Sequence, residues 1–203
     1  MKPVDLDGLF DEKLAQYMEE NKGKYTEKQW ENIIPKLYKK FGDTYVAKIK
    51  ATPKEYYAKM TDGELTETFA AHLAQKVPVP DFLCSEIEER NCIDALLPLL
   101  REGDGETVSY ALNLIGADAR AFPDYFSIIT EEKFDEDIRD AAVEKLKENA
   151  DAALAAALAY YKEGRAKEYM LEILSRAKTR SEEIFHILLD EFLSDGSRVP
   201  MHA

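Results

Sequence analysis

One pattern constrains the fold of this chain more than any other: three segments repeat their apolar positions every 31 residues. The segments cover residues 106–115, 137–146 and 168–177. Two neighbouring positions of each segment are aliphatic, with Ala111, Ala142 and Ile173 at the first and Leu112, Val143 and Leu174 at the second. A period of about 30 residues with two helices per period is typical of a helical solenoid.

Strongly apolar segments alternate with these three. They recur at similar intervals and cover residues 93–100, 125–129, 153–161 and 184–192. A helix that is apolar on nearly all sides is expected to lie between neighbouring helices. The chain also has only nine glycines and eight prolines, which favours long helices over strands and turns. The sequence therefore predicts an all-α fold of paired helices.

Segments 105–112 and 135–146 resemble HEAT repeats, in the short form found in many bacterial proteins. In them an acidic cap is followed by a β-branched residue and then by small residues at the packing contact. The resemblance extends over about residues 91–193. It implies an α-α superhelix, a right-handed solenoid of antiparallel helix pairs, and it implies no particular activity.

We expect a single domain over residues 1–203, with a compact helical bundle without repeats as the alternative. Residues 1–90 match the repeat less well, and we interpret them as an irregular helical cap or as degenerate repeats. Such departures are expected because an end repeat turns one face to water. Residues 194–203 are expected to form a C-terminal tail.

In the N-terminal part, Thr26 and Gln29 form a capping box that should open a helix. Trp30 lies on the apolar stripe of that helix, so we expect it in the core. Pro35 predicts a kink or a break in the same helix. Further helices are predicted over 7–20, 44–50 and 53–60 and after Thr61 and Pro80.

The net charge of −13 is unevenly distributed. Residues 1–60 contain 12 Lys and Arg against 10 Asp and Glu, whereas residues 61–203 contain 15 against 30. The segment with the repeats therefore has an excess of negative charge, which repels phosphate backbones and attracts basic groups. We expect a protein partner with a basic or mixed surface and no nucleic-acid partner.

The second helix of each predicted pair should turn one face away from the core. Positions 106, 110 and 113, with their equivalents 31 and 62 residues later, lie on that face. They suggest an acidic groove for a basic segment of a partner, with the candidate binding residues Tyr110, Asn113, Asp137, Glu144, Glu168 and Glu172. An ordinary solvated face is the alternative, because first-turn carboxylates also stabilise the helix macrodipole.

No motif for catalysis or for cofactor binding is present. The sequence has no P-loop, no Gly-x-Gly-x-x-Gly, no Gly-x-Ser-x-Gly and no His-Glu-x-x-His. Its two cysteines and three histidines do not have zinc-binding spacing. We therefore expect no catalytic residue, no metal and no cofactor. Cys84 and Cys92 should be reduced core residues, and His72 a hydrogen-bonded structural residue.

Two other functions stay open beside a non-catalytic interaction module. A regulator or an enzyme could bind a small ligand between helices, near His72, Cys84 or the pair Tyr160 and Tyr161. Bacterial alkylpurine DNA glycosylases hold DNA in a groove of helical repeats, but such a groove should be basic, and this repeat region is acidic. The sequence indicates no oligomeric state.

No apolar run approaches the roughly 18–20 residues that a membrane span requires. Met1 is not followed by the apolar stretch of a signal peptide. We therefore expect a cytoplasmic protein that has no membrane partner.

Overall fold

The computed structural model describes residues 2–131, 133–179 and 181–194, and in these ranges most residues are helical and no strand is present. Twelve α-helices and one short 3-10 turn are present there, with a lone β-bridge between Val46 and Ala51. None of the described helices is both long and apolar enough to cross a membrane. The chain divides into two compact units, Met1–Leu96 and Leu97–Ala203. The predicted tail lies outside the described residues, apart from the backbone of Ser194.

The first unit contains five helices and the beginning of a sixth. The five are α1 (Leu6–Glu20), α2 (Glu27–Phe41), α3 (Pro53–Ala58), α4 (Asp62–Ala74) and α5 (Asp81–Glu89). Capping boxes open three of them, because Thr26, Thr52 and Thr61 each pair with the Gln or Glu three residues later. The predicted helix starts after Thr26 and Thr61 are therefore confirmed. The predicted start after Pro80 is also confirmed, because α5 begins at Asp81.

The second helix continues through Pro35, so the possible break there is not found. A proline inside a helix leaves the carbonyl four residues earlier, here that of Glu31, without its helical partner. Pro35 and Glu31 are both exposed. Water can therefore solvate that carbonyl, and the helix extends to Phe41.

The predicted helix over residues 44–50 was wrong. The Val46 N–H instead donates to the carbonyl oxygen of Ala51 at 2.9 Å, and the segment between them forms turns. Lys50 has a φ of 54°, in the left-handed region that no right-handed helix includes. The chain reverses here before α3 begins at Pro53.

Trp30 is half-buried rather than in the core. Its ring meets the rings of Tyr17 and Tyr25 edge to face, with centroids 6.1 and 5.1 Å away. The fully buried side chains of this unit come from other positions, among them Leu6, Tyr57, Leu65, Phe69 and Leu83. The apolar stripe of α2 is thus only partly covered.

Arg90, just after α5, ties α5 to the end of α3. Its guanidinium donates to the carbonyl oxygens of Ala58 at 2.7 Å and Met60 at 2.6 Å, and to Glu86 at 2.6 Å. The last carbonyls of a helix have no partner within the helix. Arg90 supplies that partner from outside.

The second unit contains the rest of α6 (Ile93–Glu102) and six further helices. These are α7 (Gly105–Ile115), α8 (Phe122–Thr130), α9 (Glu136–Glu148), α10 (Ala150–Lys162), α11 (Lys167–Arg176) and α12 (Glu182–Ser194). Helix α8 packs on α9 and α10 on α11, while α9 also contacts α7 and α11, and α12 contacts α11. All six residues at the two repeated positions, 111, 142, 173, 112, 143 and 174, are buried.

Three hydrogen bonds in this unit join residues that are 30 to 32 positions apart, while others span 23 to 35 positions. Lys133 donates to the carbonyl oxygen of Arg101 at 3.0 Å, and Asn149 donates to that of Ala117 at 3.3 Å. The Tyr161 hydroxyl donates to Glu191 at 2.6 Å. The spacing of these contacts matches the spacing of the sequence pattern.

Candidate functional site

The outer surfaces of α7, α9 and α11 together carry all six predicted binding residues. Each of these helices buries one stripe of aliphatic residues, and the opposite stripe is turned to solvent. Glu172 is half-buried, and the other five residues are exposed, namely Tyr110, Asn113, Asp137, Glu144 and Glu168. We call the surface formed by these six residues, together with Asp140 and Glu148, the acidic face.

Helix α9 contributes the densest row of charge to the acidic face. Asp137, Asp140, Glu144 and Glu148 follow one another at steps of three and four residues, and all four are exposed. Side chains at these steps lie along the same side of a helix. Asp140 and Glu148 were not among the predicted residues. The signal that finds them is the periodicity within α9, rather than the 31-residue register.

Two lysines of α9 neutralise part of this charge: Lys145 pairs with Glu148 at 3.2 Å, and Lys147 links α9 to α11. The Lys147 ammonium lies 2.6 Å from a carboxylate oxygen of Glu144 and 3.1 Å from one of Glu172. Burial lowers the pKa of Lys147, but its hydrogen bonds to the two glutamates outweigh burial, and the pKa is raised. Two of the predicted binding residues therefore share one cation.

A second link between the same helices involves Asp140. Burial and a hydrogen bond to the Asp140 carboxylate raise the pKa of Tyr169 on α11. The Arg139 guanidinium lies over the Tyr169 ring, 5.9 Å from its centroid. Within the described ranges, by contrast, no ion pair involves Asp137 or Glu168. The acidic face thus combines fixed carboxylates with carboxylates open to a partner.

His72 and Cys84, the two residues considered for catalysis, lie outside the acidic face. His72 is fully buried, and its Nδ1–H donates to the carbonyl oxygen of Pro78 at 2.6 Å. Its Nε2 is also buried and has no hydrogen-bond partner in the described part of the chain, so His72 is only half satisfied. Cys84 is half-buried, and burial raises the pKa of its thiol to about 11. A thiol with this pKa is protonated at neutral pH and is a weak nucleophile.

The two adjacent tyrosines of α10 take part in packing. Tyr160 stacks on Phe126 with ring centroids 5.0 Å apart, and Arg165 lies over it at 4.5 Å. Tyr161 donates to Glu191 of α12. Two open grooves, of about 390 Å³ beside α12 and about 200 Å³ between α1 and α2, are lined by other residues.

Over the ranges that the structure covers, no three His, Cys, Asp or Glu side chains are grouped so that they could hold a metal ion. The carboxylates of α9 lie in a line along the helix and do not converge on one point. Such a row presents negative charge to an extended cationic partner better than to a single ion. Comparisons of the chain with protein families, with curated proteins and with solved structures found no significant match.

Proposed function

We propose that this chain is a non-catalytic protein-interaction module whose acidic face binds a basic segment of another protein. The observation that carries the proposal is the exposed row of four carboxylates along α9, continued by Glu168 and Glu172 on α11. Clustered charge of one sign raises the local concentration of oppositely charged partners and speeds their association. The same charge opposes contact with phosphate backbones.

The proposal includes a HEAT-like stack of helix pairs over residues 91–193. Its support is threefold: the 31-residue register in the sequence, the burial of the equivalent positions, and the hydrogen bonds between residues 30 to 32 positions apart. In such a stack the second helices of successive pairs lie side by side. The contacts of α9 with both α7 and α11 agree with that arrangement.

The strength of binding follows from the exposure of these charges. An exposed ion pair contributes about 0.2–1 kcal/mol, so a useful affinity requires several pairs at once. At physiological salt, exposed charges more than about 8–10 Å apart are largely screened from one another. Binding through such charges should therefore depend strongly on ionic strength. Tyr110, 45% exposed on α7, adds an aromatic surface on which a Lys or Arg side chain can pack.

A peptide without apolar residues tests the acidic face directly. We expect the full chain to bind a labelled peptide of Lys, Arg, Gly and Ser in an anisotropy titration, and binding to weaken about tenfold or more between 50 and 300 mM NaCl. The variant with Asp137→Lys and Glu168→Lys should bind at least tenfold more weakly. Both side chains are exposed but lie in the first turns of α9 and α11, so the lysines also oppose the helix macrodipoles at a cost of about 0.3–1 kcal/mol each. Circular dichroism checks that both helices stay folded.

The matched control makes the same change of charge on the first unit. Glu12→Lys and Glu31→Lys replace exposed carboxylates of α1 and α2. We expect this control to bind within about twofold of the natural chain at equal salt. An equal loss in both variants would show that the peptide follows net charge alone, and the proposal would fail.

A further inference from the structure

Helix α12 exposes an apolar stripe that no part of the described chain covers. Phe185, Leu189, Phe192 and Leu193 are 63, 38, 46 and 70% exposed. Leu189 is four residues after Phe185, and Phe192 and Leu193 are three and four residues after Leu189, which places all of them on one side of the helix. The helix packs through its other side, where Ile184 is buried.

Helix α10 carries an equivalent stripe one interval earlier in the chain. Leu154, Leu158 and Tyr161 precede Phe185, Leu189 and Phe192 by one interval of 31 residues, and all three are half-buried. Helices that follow α10 in the chain pack against it: α11 contacts it, and Glu191 of α12 accepts a hydrogen bond from Tyr161. These helices are 10 and 13 residues long. The natural cover for the stripe is therefore another α-helix of about that length.

The charge beside the stripe indicates the chemistry of that helix. His186 and Asp190 lie along one edge of the stripe, and Glu183 on the same side pairs with Lys162. Glu182 lies at the start of the stripe, three residues before Phe185. An open groove of about 390 Å³ lies next to the stripe, lined by Ser181, Glu182, Ile184, Phe185 and Leu188. An apolar surface bordered by carboxylates is complementary to an apolar helix face bordered by Lys or Arg.

A second copy of this chain fits the same surface poorly. Pairing one α12 with another would bring two carboxylate-bordered edges together, and each chain has a net charge of −13. Like charges opposed across an interface cost free energy and slow association. The charge thus favours a different protein as the occupant.

We propose that the exposed stripe of α12 docks an amphipathic α-helix of a partner protein, about ten residues long, with basic residues bordering its apolar side. Docking of an amphipathic helix into an apolar groove is a common mode of peptide recognition. This stripe is a second binding surface, distinct from the acidic face, and it depends on apolar side chains rather than on charge alone.

The test uses the full chain and two labelled 14-residue peptides in anisotropy titrations at 150 mM NaCl. Both peptides have leucines at helical spacing; one has lysines and the other glutamates at the remaining positions. We expect the leucine–lysine peptide to bind at least tenfold more tightly than the leucine–glutamate peptide. The variant with Phe185→Ser and Leu189→Ser should lose at least tenfold in affinity for it.

Two controls separate this surface from the rest of the molecule. Tyr45→Ser removes a ring that is also 63% exposed but belongs to the first unit, and it should leave binding unchanged. The variant with Asp137→Lys and Glu168→Lys should bind the leucine–lysine peptide within about threefold of the natural chain. If the acidic-face proposal fails, the peptide without apolar residues will not bind. That outcome would not change the expected binding of the leucine–lysine peptide to α12.

Several results would overturn the proposal. One is an absence of binding by either peptide, and another is an equal affinity for both. A third is a loss in the acidic-face variant without a loss in the α12 variant. A fourth is a concentration-dependent dimer in sedimentation equilibrium that Phe185→Ser and Leu189→Ser abolish, because the occupant would then be a second copy of the chain.

Discussion

At the scale of the residue, Cys84 shows how surroundings decide the chemistry of a side chain. Burial is the main reason that its pKa is raised to about 11, and the carboxylates of Asp81, Glu88 and Asp7 act in the same direction. Each of these groups disfavours the thiolate. The position is therefore the opposite of an activated cysteine, which lies near positive charge.

This environment predicts slow alkylation. We expect iodoacetamide to modify Cys84 at pH 7.5 more than tenfold more slowly than it modifies free cysteine, because only the thiolate reacts. The rate should rise about tenfold per pH unit until the pH approaches 11. Peptide mapping by mass spectrometry gives the rate for Cys84 separately from that for Cys92.

The same reaction in urea provides the control. Unfolding returns the thiol to water, and its pKa should fall toward the ordinary value of about 8.5. Modification of the folded chain at the rate of free cysteine would contradict the prediction. It would also restore Cys84 as a candidate nucleophile.

Trp30 and His72 show where a prediction from sequence stops at this scale. Periodicity identifies which side of a helix is apolar, but not how much protein covers that side, so Trp30 was expected in the core and is half-buried. His72 is buried as a structural residue, and its Nδ1–H donates to the backbone carbonyl oxygen of Pro78. That carbonyl reaches the ring only because of the path that the chain takes after α4. No residue pattern specifies that path.

At the scale of the element, helix ends could be read from the sequence more reliably than the segments between them. The Thr–x–x–Gln/Glu boxes mark the starts of α2 and α4 because their hydrogen bonds are local. The segment 44–50 misled because its structure depends on a bridge to Ala51 and on Lys50 in the left-handed region. Lysine has no preference for that region, so composition gives no warning.

Helix α9 yields a prediction about Lys147, the cation that Glu144 and Glu172 share. Lys147→Gln leaves Glu144 and Glu172 without their shared partner, and the local charge becomes more negative by one. We expect the affinity for the basic peptide without apolar residues to increase about threefold to tenfold at 50 mM NaCl. The free energy of unfolding should fall by about 0.5–1 kcal/mol, as measured by urea denaturation.

Lys162→Gln is the matched control for this change. It removes the same charge at the C-terminal end of α10, where Lys162 pairs with Glu183 of α12. An equal increase in peptide affinity in both variants would mean that the gain follows net charge. An unchanged affinity in Lys147→Gln would mean that Glu144 and Glu172 do not contribute to binding.

At the scale of the whole molecule, the all-α class was predictable, and so was the burial of the aliphatic positions that recur every 31 residues. The apolar register fixes which sides of successive helices must be buried, and burial then brings residues about 30 positions apart together. The sharing of Lys147 between two helices was not predictable, because it depends on the rotamers of long side chains across a packed interface. The exposure of the α12 stripe was not predictable either, because the sequence pattern of an apolar stripe is the same whether another helix covers it or not.

The charge of the molecule predicts how its stability responds to salt. With 40 Asp and Glu against 27 Lys and Arg, mutual repulsion of carboxylates opposes the compact state. We expect the midpoint of thermal unfolding, followed by circular dichroism, to rise by several degrees between about 10 and 300 mM NaCl as repulsion is screened.

Choline chloride at the same ionic strength is the control for specific effects of sodium, and it should give the same shift. A fall in the midpoint with added salt would contradict the prediction. It would mean that attraction within ion pairs, such as those of Lys147, exceeds the repulsion between the remaining carboxylates.

The one-sided packing of α12 has a consequence for how the second unit comes apart. In a row of helices each member is held by its neighbours, and a member with fewer neighbours opens at a lower free-energy cost. We infer that fraying of this unit begins at α12 while α9, packed against α7 and α11, is among the last to open. A protein bound to the stripe would stabilise the helix that opens at the lowest free-energy cost. Binding at this surface would therefore also protect the second unit from proteolysis.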